Sequence, residues 1–77
     1  MVEGVLEYNQ ESERYGIIDN MDLWANEGLH CGEVLQVLIH GQYIEMGIEM
    51  SISNKWYLTD YERLLINNLD GLQVKKK

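Results

Sequence analysis

His30, Cys31 and Glu33 form the tightest group of reactive side chains in the sequence. A Cys–His nucleophile needs thiol and imidazole facing each other, so that the base can take the thiol proton. Adjacent residues of an extended chain point to opposite sides, which places His30 and Cys31 badly as a dyad. The second histidine, His40, lies ~30 Å further on if the stretch between is a straight strand. A zinc site shows paired ligands such as Cys-x-x-Cys, and the chain has a single cysteine. The plainer account is a turn: Gly32 gives backbone freedom, Cys31 packs as a small hydrophobe and Glu33 stays in water. No catalytic residue, metal ligand or cofactor is expected.

Two carboxylate pairs, Glu11 with Glu13 and Glu45 with Glu49, raise the question of acid–base chemistry. Such work needs a sheltered cleft that drives two pKa values apart. Both pairs fall on positions read as exposed, so a solvated acidic face is the simpler account. The aromatic residues are the better lead. Small barrels grip extended peptides with surface aromatics. Trp56 and Tyr57 are neighbours on one strand, so only one of them faces inward. The other either forms part of a binding patch or covers a barrel end. Trp24, His30, Glu33, Tyr43, Trp56 and Tyr57 are the candidate binding residues.

The elements that must position them begin with Gln42 to Leu58. Ile44, Met46, Ile48, Met50 and Ile52 occupy every second position, the period of a strand with one apolar and one wet face. Ser53-Asn54-Lys55 turns the chain, and Trp56-Tyr57-Leu58 returns. Upstream, Val2 to Tyr8 alternates, Asn9 to Glu13 is a polar turn, and Arg14 to Asp19 pairs back as a hairpin. Val34 to Ile39 is apolar on both faces apart from Gln36 and belongs in a central or seam position. His40-Gly41-Gln42 is a tight turn. Gly47 marks a bulge or bend in the long strand. Asn20 to Cys31 reads as a loop with one helical turn, pinned by Leu23 and Trp24. Thr59 and Glu62 form a capping box that starts a helical turn through Leu65. Gly71 to Lys75 is the last strand, with Leu72 and Val74 inward. The pattern predicts an all-β, SH3-like barrel of five or six short antiparallel strands with one helical turn before the last, and an open β-meander as the second choice. Residues 1–74 form one domain, and 75–77 a basic, disordered tail.

Composition bounds the function. Thirteen acidic residues face six basic ones over 77 residues, a net charge of −7. Three of the basic residues are the final lysines, and without them the balance is −10. Phosphate backbones and anionic membranes need clustered Lys and Arg, so neither is an expected partner. One cysteine allows no internal disulfide. The N-terminal residues lack the basic and apolar regions of a signal peptide. A cytoplasmic monomer or weak dimer is expected.

Gly4-Val5-Leu6-Glu7-Tyr8, Arg14-Tyr15, Leu29-His30-Cys31-Gly32-Glu33, Trp56-Tyr57-Leu58 and Leu69-Asp70-Gly71-Leu72-Gln73-Val74 resemble a family of small uncharacterised proteins. These occur in Firmicute-type bacteria and on their mobile elements. The resemblance implies a small all-β fold and a cytoplasmic location, and it supplies no activity. Three functions follow for testing. The first is a non-enzymatic module that binds an unidentified protein through the loop at Asn20–Cys31 and nearby aromatics. The second is an acidic nucleic-acid mimic that inhibits a DNA-binding protein. The third is an enzyme, which would require a concave pocket holding His30 or Cys31.

Overall fold

Alternation of apolar and polar residues is carried through into eight strands in the computed structural model, which describes residues 1–77. They are β1 (Val2–Asn9), β2 (Arg14–Ile18), β3 (Trp24–Asn26), β4 (Val34–Ile39), β5 (Gln42–Met50), β6 (Trp56–Thr59), β7 (Leu65–Ile66) and β8 (Gln73–Lys76). All pair antiparallel in one sheet of order β3-β2-β1-β8-β4-β5-β6-β7. The chain builds one hairpin unit from β1–β3 and another from β4–β7. β8 then enters between β1 and β4 and joins them.

The sheet is rolled around a single core. Leu6 stands opposite Ile17, Leu35 opposite Met46, Val37 opposite both Ile44 and Val74, and Ile48 opposite Leu58. Their inward side chains meet with Leu29, Trp56 and Leu69 in one buried cluster. The roll is visible across the sheet: the Arg14 guanidinium of β2 lies 5.7 Å from the centre of the Trp56 ring of β6. Five ladder steps separate those strands, which would be about 24 Å on a flat sheet. The turn between β4 and β5 is the tight one expected. His40 and Gly41 both take positive φ, the backbone of a two-residue hairpin whose twist matches its strands.

The expected SH3-like barrel is not formed. No ladder joins β3 to β7, so the sheet has two edges, and it holds eight strands rather than five or six. Both expected helical turns are absent. At the first site Asp22 takes φ 60°, which a right-handed helix cannot contain, and the chain runs on into β3. At the second site Tyr61 takes φ 65°, which a right-handed helix cannot contain. Thr59 and Asp60 hold that turn together: the Thr59 hydroxyl accepts from the Tyr61 N–H at 2.9 Å, and Asp60 takes the amides that follow. The Asp60 Oδ1 accepts from the backbone N–H of Glu62, Arg63 and Leu64 at 2.9 Å each.

The long strand ends earlier than its pattern suggests. β5 stops at Met50, and Ile52 is fully exposed in the turn at residues 51–55. Only four of the five apolar residues in that row therefore face the core. Gly47 causes no bulge, since it pairs in register with Val34 and Thr59. Lys75 and Lys76 do not trail: they lie in β8 and form ion pairs with Glu3 and Glu33, each at 3.3 Å.

Candidate functional site

The loop at Asp19–Gly28 is set by side chains that cap its own backbone. The Asp19 carboxylate accepts from the N–H of Met21 at 2.8 Å and of Leu23 at 3.1 Å. The Asp19 N–H reaches back to the Leu23 carbonyl at 2.9 Å. Asp22, at φ 60°, takes the left-handed corner that Asp tolerates better than most residues. Downstream, Asn9 is buried and satisfied: its amide donates to the Glu27 carbonyl at 3.0 Å, and its oxygen accepts from Glu11 N–H. Ser12 donates to the same Glu27 carbonyl at 2.8 Å. The Leu29 N–H bonds Tyr15 O, and the Leu29 side chain is buried in the core.

This scaffold presents an apolar edge. Met21 is 74% exposed, Leu23 60% and Trp24 37%. Leu23 and Trp24 thus do not pin the loop into the core, as the sequence suggests; Leu29 does. The Trp24 ring instead covers Gly16 of β2 from the outer side, where a Cβ would come within 2.9 Å of it. β3 pairs with β2 on one side only, with a register slip between Ile17 and Ile18.

The remaining expected binding residues are dispersed. Trp56 faces inward and is buried, while its neighbour Tyr57 faces outward opposite Glu49. Tyr43 lies on the outer face of β5, its ring 4.3 Å from the Lys75 ammonium. His30 is exposed, and its backbone N–H donates to Glu33 Oε2 at 2.6 Å. Glu33 is half-buried between that amide and Lys76, so it is not simply wet. Cys31 is exposed and does not pack as a small hydrophobe. Gly32, at φ 88°, gives the turn that was expected. The structure therefore does not gather Trp24, Tyr43, Trp56 and Tyr57 into one strip.

Two tyrosines that sequence reasoning passed over carry the clearest electrostatics. Tyr61 lies across Gly47, where a Cβ would meet its hydroxyl, and donates to Glu49 Oε2 at 2.5 Å. That hydrogen bond, with lesser help from burial and the Glu49 charge, pushes the Tyr61 phenol above its ordinary value. Tyr15 packs edge-on against Tyr8 with ring centres 5.5 Å apart. Burial first, and then the Asp70 carboxylate, raise its pKa. Asp60 is shifted the other way, because the backbone amides of Glu62, Leu64 and Arg63 hold its charged form.

The profile of a domain of unknown function, DUF5348, matches residues 4–76. A crystal structure of a protein from Ruminococcus gnavus is 36% identical, with a TM-score of 0.78. The match covers 96% of this chain and 99% of that one. No curated protein matches the chain.

Proposed function

Since the chain belongs to the DUF5348 family of domains of unknown function, we propose that it is a non-enzymatic protein-interaction module. The observation that carries this reading is the exposure of Met21, Leu23 and Trp24 together at an unpaired sheet edge. Single exposed apolar residues are ordinary; three within four positions of the chain, next to an unpaired strand, are the kind of surface on which partners dock. The edge itself offers backbone groups to an added strand. The wider expectation, a cytoplasmic protein of Firmicute-type bacteria and their mobile elements, belongs to the same reading. The relative from Ruminococcus gnavus supports its bacterial part.

The nucleic-acid mimic gains less support. Glu3, Glu33 and Glu49 are drawn to Lys75, Lys76 and Tyr61, which breaks up the free carboxylates. The interaction reading is tested by capture from a host extract on immobilised protein, comparing the natural chain with a Met21→Lys, Leu23→Lys double variant. A protein held by the first and lost by the second is the expected outcome. Equal retention by both would sink the reading.

A further inference from the structure

We propose that the partner is a short extended segment carrying a lysine or arginine beside an apolar residue, and that it adds along β3. This rests on the interaction reading above and names the chemistry of the partner.

The two sheet edges differ in how they are guarded. Edge strands are normally blunted by Lys, by Pro or by being very short. β7 has two residues and follows Arg63 closely. β3 is Trp-Ala-Asn, without charge or proline, and exposed Met21 and Leu23 precede it. Strand addition supplies backbone hydrogen bonds, while alternate side chains supply selectivity. Three residues and a register slip limit the added strand to a short segment. Most of the affinity must then come from the apolar side chains and from charge.

Charge selects the partner. Asp19 to Glu27 holds three carboxylates and no Lys or Arg. Next to the turn that leads into β3, over β2, β1 and β8, lies a cavity of about 280 Å³ with Asp19 and Asp22 on its rim. The Asp19 carboxylate is occupied by two backbone amides. The carboxylate of Asp22 makes no hydrogen bond or ion pair within the chain and is free to meet a cation. A Lys or Arg at the end of the added segment that runs past Leu23 can lay its methylene stem on that exposed side chain and keep its head at Asp22. A second copy of this chain is the poorer occupant, because it would bring another −7 against the same acidic surface. The turn held by Asp19 is already formed, which lowers the ordering cost of binding.

The test is a selection of random linear heptapeptides, displayed on phage, against the full chain. A selected peptide is then titrated by fluorescence anisotropy and mapped by amide shifts. Expected winners carry Lys or Arg within two residues of an apolar side chain and shift the amides of Trp24 to Asn26. Asp22→Asn keeps the left-handed corner, since Asn adopts it as readily. It should weaken binding about 1.5-fold to fivefold at low salt, with the difference shrinking as salt is raised. Leu23→Lys should weaken it more. Winners without a basic residue, or an Asp22→Asn variant that binds equally well, would overturn the partner chemistry and leave the interaction module standing. Shifts confined to β7 would overturn the site, and a dimer in sedimentation that buries β3 would replace the partner with a second copy. If no peptide is enriched, the inference of a linear basic segment fails, and the module reading stands or falls on the extract capture alone.

Discussion

At the scale of single residues, the outer face is shaped by where a Cβ is missing. Gly47 leaves room for Tyr61, whose hydroxyl would sit 2.0 Å from an added Cβ. Gly16 leaves room for Trp24, but its added Cβ would also meet the Asn26 carbonyl at 2.3 Å. A tyrosine tip can swing away; a backbone carbonyl of a paired strand cannot do so without losing the pairing. Gly47→Ala should therefore cost no more than about 1 kcal/mol, and Gly16→Ala about 3 kcal/mol. Urea denaturation measures both, and the reverse order would refute this account. Gly47→Ala should also let the Tyr61 titration, followed by ultraviolet absorbance, fall back toward 10.0, the ordinary tyrosine value. Asp60 predicts an acid effect. Its folded pKa lies below the ordinary 3.8, so the stability it contributes is present in full above that value. That contribution is lost as pH falls through the folded pKa. Asp60→Asn should flatten that acid limb in a pH series of melting curves, and an unchanged limb would count against the role of the three amides.

Single strands show how far a period can be trusted. The alternation from Ile44 to Ile52 identifies the strand and its inner face correctly as far as Met50. It misplaces Ile52, because a pattern of two continues on paper after the ladder has stopped. In the chain, Ser51 bonds Lys55 and Asn54 bonds Ser51, and this turn takes the backbone out of the ladder. Ile48→Ala should cost about 2–5 kcal/mol through cavity formation. Ile52→Ser, at a side chain in full contact with water, should change stability by less than about 0.5 kcal/mol. Comparable losses from the two substitutions, measured by chemical denaturation, would mean that the strand runs further than Met50. The helical turn expected at Thr59 fails for a related reason. A capping box is a local signal, and here Asp60 takes the Glu62 amide that Thr59 would have capped, while Tyr61 is left-handed and bonds Glu49.

Across the whole molecule, one core is shared by both hairpin units, with β8 between them. Neither unit has a second core on which to survive alone, so unfolding should be a single cooperative step. The two tryptophans sample both places: Trp56 in the core and Trp24 at the edge. Tryptophan fluorescence and far-ultraviolet circular dichroism should report coincident transitions. Separate midpoints would mean that β1–β3 detaches before the rest.

The sequence by itself settled the all-β class, most of the strands, the inward rows and the acidic balance, because alternation and charge are properties of neighbouring residues. It also suggested the loop at Asn20–Cys31 as the place to look for function, although it turned Leu23 and Trp24 the wrong way. Only the tertiary structure decided that the sheet stays open, that β8 inserts between β1 and β4, that Trp56 rather than Tyr57 is buried, and that Met21, Leu23 and Trp24 share a free edge. Those outcomes depend on which strands meet across long stretches of chain. Pairing of that kind is chosen by the total burial of the rolled sheet, which no local pattern contains.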